Sequence, residues 1–202
     1  MSIYKGIAAG AAGGLVAAYV MNKFQTAVGK LMENGEGSHG AQSQQQGSPQ
    51  HGIGRELSER GLDDPTDDAA ERTATAISAF GLERHLTKSE KEKAGTAIHY
   101  AFGVGSGAVY GALTEVMPVA AVCEGTAFGT ALWAMADEGI VPAVGLSKSP
   151  TKYPTSVHAV SLASHLVYGL TTELVRRAVR KALNGAGNHE AEYVSRNASL
   201  SC

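Results

Sequence analysis

Charge is missing from four stretches of this chain, and that absence constrains the fold more than any motif does. No Asp, Glu, Lys or Arg occurs in residues 6–22, 94–114 or 153–172, and residues 116–136 hold only Glu124. A helix rises about 1.5 Å per residue, so about 20 residues cross the hydrocarbon core of a bilayer. The gaps therefore predict four transmembrane helices, over residues 6–22, 94–117, 119–136 and 157–175. The expected fold is all-α: a polytopic four-helix transmembrane bundle with a long polar loop between its first and second helices.

The four stretches are rich in Gly and Ala rather than Leu. Gly supplies 25 of the 202 residues, well above the usual share of about 7%. Inside a water-exposed helix each Gly costs about 1 kcal/mol relative to Ala. In a bilayer, where no hydrophobic effect drives helices together, small residues let backbones approach closely. The spacing fits that use. Gly6, Gly10 and Gly14 recur every fourth residue, as do Gly103, Gly107 and Gly111, and Gly125 with Gly129. Ser161, His165 and Gly169 hold the same rhythm. Lys5 precedes the first stretch, but no small-x-small cleavage site stands before Lys23, so the stretch reads as an uncleaved anchor rather than a signal peptide.

Four regions follow. Residues 1–33 form the first transmembrane helix and an amphipathic extension carrying Phe24, Val28, Leu31 and Met32. Residues 34–93 form a polar, partly disordered loop. Within it, residues 34–54 are a Gly/Gln/Ser-rich run that buries too little apolar surface to offset its ordering entropy. His39 and His51 in that run are too far apart, and too unsupported, to hold a metal. A short soluble helix is expected to start near Asp67, with Ala70, Ala74, Ile77 and Phe80 at helical spacing and Gly81 ending it. Thr87 and Glu90 form a capping box that opens the next helix. Residues 94–181 are a three-helix transmembrane core, and residues 182–202 read as a disordered tail.

Arg176, Arg177, Arg180 and Lys181 follow the last gap with no acid among them. The positive-inside rule places such a cluster in the cytoplasm, as a cytoplasmic anchor. Four spans then put both termini inside, in a multi-pass protein of a bacterial inner membrane. The lipid bilayer is the expected partner, together with a second copy of the chain or another envelope protein. A net charge of -2 supplies no basic field for nucleic acid. Two cysteines, Cys123 and Cys202, make no disulfide framework. Gly103–Ala108 imitates a dinucleotide fingerprint without the strand that should precede it, and no nucleophile elbow or HExxH occurs. Neither catalysis, a cofactor nor a metal is expected.

Two heptapeptides echo each other. Residues 109–115 read VYGALTE and residues 167–173 read VYGLTTE, at an offset of 58. The second and fourth spans would run in the same direction, as in the parallel repeats of some transporters. Each carries a polar stripe at helical spacing: His99, Gly103, Ser106, Tyr110 and Thr114 on one, His158, Ser161, His165, Tyr168 and Thr172 on the other, with Glu115 and Glu173 closing them. As parallel neighbours they would meet at matching depth. One function for this seam is to handle protons or a small solute, since ionisable groups inside a membrane are costly and mark such paths. His165 lies nearest mid-span, and imidazole changes charge near neutral pH. The alternative is a structural or partner-binding scaffold whose seam only holds the bundle together through interhelical hydrogen bonds.

Several motifs resemble the YagU-like family of bacterial inner-membrane proteins, a domain of unknown function. They are His99 opening a small-residue span, TEVMP at residues 114–118 closing it, SPTKYP at residues 149–154, SHLVY at residues 164–168 and TELVRR at residues 172–177. The resemblance covers residues 94–181 and, more loosely, the first span. It implies a small polytopic membrane protein without an assigned reaction, and places His165, Glu173, Arg176 and Arg177 on matching positions. The Gln/Gly/His-rich loop departs from the family's core.

Overall fold

The computed structural model describes residues 2–33 and 47–199, which places most of the Gln-rich run outside the described residues. The described residues are helical without a strand. In chain order the α-helices are α1 (Ile3–Glu33), α2 (Gly52–Glu59), α3 (Ala69–Ala76), α4 (Lys88–Val116), α5 (Thr126–Met135), α6 (Val141–Ala143) and α7 (Thr155–Ser199). One helical stretch, Ile3–Leu31, is long and apolar enough to cross a membrane. α4 and α7 have the length, at 29 and 45 residues, but their Gly, Ser, Thr and His dilute the hydropathy.

α1 lies at the centre, antiparallel to both α4 and α7, while α5 runs antiparallel to α7. The glycine rows explain the arrangement. A Cβ at Gly10 would lie 2.8 Å from the Gly111 Cα, and one at Gly107 would lie 2.7 Å from the Gly14 Cα. The α1 and α4 backbones touch because neither row has a side chain. On its other side, a Cβ at Gly13 would lie 2.6 Å from the Thr172 carbonyl oxygen of α7. Gly129 on α5 meets His165 and Gly169 on α7 in the same way. The three glycine rows expected to join helices therefore do so.

The neighbours differ from expectation. α4 and α7 are not adjacent helices, because α1 runs between their backbones. Only long side chains bridge them, at an offset of 65 rather than 58: Tyr168 donates to the Gly103 carbonyl at 2.5 Å, and Arg180 reaches Glu115 at 2.6 Å. The echoed heptapeptides are thus displaced by seven residues, or about 10 Å along the helix axis.

The third expected span, residues 119–136, is not one helix. Pro118–Gly125 forms a 3-10 helix, and Cys123, Glu124 and Gly125 take positive φ of 59°, 54° and 81°. α5 starts only at Thr126. It then continues through a π-helical turn, Ala136–Ile140, into α6, so Asp137 and Glu138 do not end it. Both acids instead bond side chains of α7. α7 also runs on to Ser199, so residues 182–199, read from the sequence as a tail, are helical.

Residues 47–93 fold as a cap over one end of the bundle. Asp68 and Glu71 form the capping box of α3, and Thr87 and Glu90 that of α4. A π-helical turn, Ile77–Gly81, follows α3. α2 was not anticipated; its start is tied down by Ile53 N–H to the Val144 carbonyl at 3.0 Å and Gly54 N–H to the Gly145 carbonyl at 2.8 Å. His51 bonds the Pro142 carbonyl at 2.8 Å. Arg72 and Asp63 are both buried and pair at 2.7 Å, and the same guanidinium donates to the Leu146 carbonyl at 3.2 Å. Lys91 pairs with Asp67 at 2.6 Å. Half of the segment expected to be loop is therefore docked by buried charge and backbone hydrogen bonds.

Replacing a contact glycine should separate the helices, whereas an open one should tolerate a methyl group. Gly107→Val is expected to lower stability by about 1–3 kcal/mol through overpacking. Nothing lies within 4 Å of a Cβ at Gly105, so Gly105→Ala should leave stability unchanged or raise it by up to about 1 kcal/mol. Thermal unfolding of the purified full chain in detergent reads both.

Candidate functional site

The capped end of the bundle holds a cavity of about 330 Å³ that opens to the surface. Each contributing element supplies residues to it for a local reason. α1 brings Ala18, Met21 and Gln25 from the half beyond its glycine row, and α4 brings His99, Phe102 and Gly103 from near its middle. Asp68 reaches the wall because it is the N-cap of α3, where its carboxylate accepts the Glu71 N–H at 2.8 Å. Burial pushes the Asp68 carboxyl up, while the Glu71 and Ala70 N–H groups pull it back down. The π-helical turn after α5 swings Asp137 inward, and α7 adds Ser161, Ser164, His165 and Tyr168.

A bonded cluster forms the polar wall. The Ser161 hydroxyl donates to Asp137 Oδ2 in a short hydrogen bond. His165 Nδ1 lies 2.9 Å from the Ser161 carbonyl and 3.8 Å from Asp137 Oδ2. A carbonyl only accepts, so Nδ1 carries a hydrogen, and in the neutral ring Nε2 is the acceptor nitrogen. His165 is buried at 7% exposure. His99 is close by, with Asp68, Asp137 and His165 as its charged neighbours, and its buried Nε2 has no hydrogen-bond partner. Serine, histidine and aspartate meet here, but the Ser161 hydrogen goes to the carboxylate rather than to an imidazole. That is not the bonding order of a nucleophilic triad.

An aromatic layer closes the base of this cavity. Tyr168 spans from α7 to the Gly103 carbonyl. Phe128 lies 6.2 Å from the Tyr168 ring and stacks on Tyr110 at 4.4 Å between ring centres. Beyond it, at the opposite end from the cap, stands an ion-pair network. Glu173 is fully buried and binds Arg176 at 2.7 Å and Arg177 at 2.5 Å. Arg177 also reaches Glu124 at 2.7 Å, and Arg180 reaches Glu115 at 2.6 Å. The Arg176 guanidinium sits over the Tyr110 ring, 5.9 Å from its centre. Lys181 is exposed.

The residues singled out from the sequence thus divide into three groups. His99, Ser161, His165 and Tyr168 share the cavity. Tyr110, Glu115 and Glu173 belong to the aromatic layer and the ion network, two or more turns away, with Arg176, Arg177 and Arg180. His158 stands apart, held between Glu138 Oε1 at 2.6 Å and the Pro150 carbonyl at 3.1 Å. Thr114 and Thr172 donate to carbonyls of their own helices, Gly111 and Tyr168, so neither bonds between helices. Ser106 is half-buried on α4. Sequence reasoning missed Asp68, Asp137 and Gln25. The signal available was an acid at a helix start and another directly after an apolar run, each facing a His-bearing helix. Among the described residues, no group of three or more His, Cys, Asp and Glu is placed to hold a metal.

Among the described residues, fold and site together define an all-helical protein with one helix able to cross a membrane and a largely apolar cavity, with polar groups clustered on its wall, under a docked cap. Residues 63–174 match the family described as "Protein of unknown function (DUF1440)", and the chain belongs to that family. The YagU-like resemblance agrees with it. The match begins at Asp63, so it takes in the cap's buried Arg72–Asp63 pair and excludes the Gln-rich run. It ends at Leu174, just before the arginines. No curated protein and no solved structure matches the chain significantly.

The ion network gives a sharp stability test. Removing one partner of a buried ion pair leaves the other uncompensated and costs about 3–5 kcal/mol. Glu173→Ala should destabilise on that scale, and Lys181→Ala should change little. Chemical or thermal unfolding of the full chain in detergent distinguishes them.

Proposed function

We propose that this chain is a multi-pass membrane protein of a bacterial inner membrane that handles protons or a small solute through the cavity at its capped end. The distribution of side-chain size supports the membrane placement. Large apolar residues point outward on every long element: Ile7, Leu15 and Tyr19 on α1, Val109 and Leu113 on α4, Met135 on α5, and Leu170 and Leu174 on α7. Ala9, Ala17, Ala18 and the glycine rows fill most of the interior, with Met21, Leu132, Tyr110 and Tyr168 as its large side chains. Small residues inside and large apolar ones outside suit a bundle solvated by lipid. In this reading α1, α4, the α5–α6 run and α7 all lie in the bilayer. Arg176, Arg177, Arg180, Lys181 and Lys5 mark the cytoplasmic end with both termini, and the cap faces the other side.

The observation that carries the functional reading is His165. It is a buried imidazole on a cavity wall, beside Asp137, with one ring nitrogen committed to a carbonyl and the other the acceptor nitrogen of the neutral ring. The aromatic layer separates it from the ion network at the far end, as a closed barrier on a path would. No catalytic role is proposed, since the Ser161 hydroxyl is committed to a carboxylate and those of Thr73, Ser164 and Tyr168 to carbonyls.

Proteoliposomes containing the full chain and a pH-sensitive dye test this. The wild type should dissipate an imposed pH gradient faster than empty liposomes, and His165→Ala should lose most of that excess rate. An unchanged rate in His165→Ala would return His165 to a purely structural part in holding α7. Reporter fusions in the cap and at the C-terminus should report opposite sides of the membrane, and the same side for both would sink the four-span placement.

A further inference from the structure

The cavity is built to accept hydrogen bonds and holds no fixed positive charge. Asp68 and Asp137 stand on its wall, and no Lys or Arg does. Among the described residues the arginine and lysine ion pairs lie elsewhere, at the far end or within the cap, while Asp137 has the His165 imidazole 3.8 Å from its Oδ2. Asp137 receives one hydrogen bond, from Ser161, through Oδ2, whereas a carboxylate has about four acceptor sites. Gln25 Oε1 and His99 Nε2, both on wall residues, are buried without a hydrogen-bond partner, and Nε2 accepts in the tautomer whose Nδ1 carries the hydrogen. A half-buried carboxylate without a fixed cation has lost part of its hydration, and an unpartnered buried acceptor adds to that cost. What would satisfy all of these groups is a cationic donor.

The rest of the wall sets the body of that donor. Ile98, Leu132, Val157 and Val160 line it, with the rings of Phe102 and Tyr168. A hydrated inorganic ion would leave these surfaces unused, while an alkyl or aryl group covers them and an ammonium gains from a nearby aromatic face. The volume of about 330 Å³ is about twice the ~150 Å³ that takes up one benzene.

We propose that the cavity binds a small organic monocation, an alkyl- or arylammonium, with its N–H groups on Asp137, Gln25 and His99 and its apolar body against Val157, Val160 and Phe102. This assignment rests on the cavity being the working site, and names what the site takes.

Calorimetric titration of the full chain in detergent at pH 7 with benzylammonium, benzyl alcohol and benzoate varies the charge on one ring-sized body. Benzylammonium should bind saturably and at least tenfold more tightly than benzyl alcohol, and benzoate least. Asp137→Asn should lose that preference. Gln25→Leu removes an oxygen that bonds nothing in the protein, so it should fold normally and weaken benzylammonium several-fold. Benzoate or benzyl alcohol binding as well as benzylammonium, or Asp137→Asn keeping the preference, overturns the assignment. Should Asp137→Asn not fold, unchanged benzylammonium affinity in Gln25→Leu overturns it instead. His165-dependent proton flux without benzylammonium binding overturns the ligand class alone, whereas absence of both overturns the cavity as the working site.

Discussion

Backbone-to-backbone contact through glycine is the constraint from which the rest of this structure follows. Gly6, Gly10 and Gly14 of α1 face Gly111, Gly107 and Gly103 of α4, at distances that leave no room for even a methyl group. With Gly13 against Thr172 on its other side, α1 becomes the central helix. Dispersion between close-packed backbones, rather than burial of large apolar side chains, joins these helices. That leaves many large apolar side chains on the outside, with Met21, Leu132, Tyr110 and Tyr168 the large buried ones of the bundle.

Central placement of α1 governs the chemistry at both ends. It holds α4 and α7 apart, so only long side chains bridge them: Tyr168 to Gly103, and Arg180 to Glu115. Tyr168 is therefore both a strut and the floor of the cavity. Above it, the cavity wall collects carboxylates and imidazoles without a fixed cation. Below it, each buried carboxylate has its arginine. This separation of unmatched acid from matched acid is the electrostatic feature that sets one end apart as a candidate site.

The cap shows how local and distant forces combine. Its capping boxes are local, and Asp68 and Thr87 could be read as helix starts from their neighbours alone. Helix α2 was also legible in principle: Ile53 and Leu57 are four residues apart, and Arg55–Glu59 and Glu56–Arg60 pair at the same spacing. The low-complexity run before it obscured that pattern. What docks the cap is not local. Arg72 needs Asp63 and the Leu146 carbonyl together, and Lys91 needs Asp67 and the Leu62 carbonyl, partners that no periodicity predicts.

The amino-acid sequence by itself determined the helical class, the starts of α3 and α4, the long apolar first helix and the glycine rows, because capping and helical periodicity act within a few residues. It also marked His99, Ser161, His165 and Tyr168, which do share one cavity. Only the tertiary structure decided which glycine row meets which, and it set the register of α4 against α7 at 65 rather than 58. Several glycine rows are alike in sequence, and the choice among them depends on side chains far apart in the chain fitting the same gap. The break at Gly125 and the π-helical turn that brings Asp137 onto the cavity wall belong to that same level. They arise from how α5 must seat Gly129 against His165 and Gly169, which no stretch of residues 118–140 specifies alone.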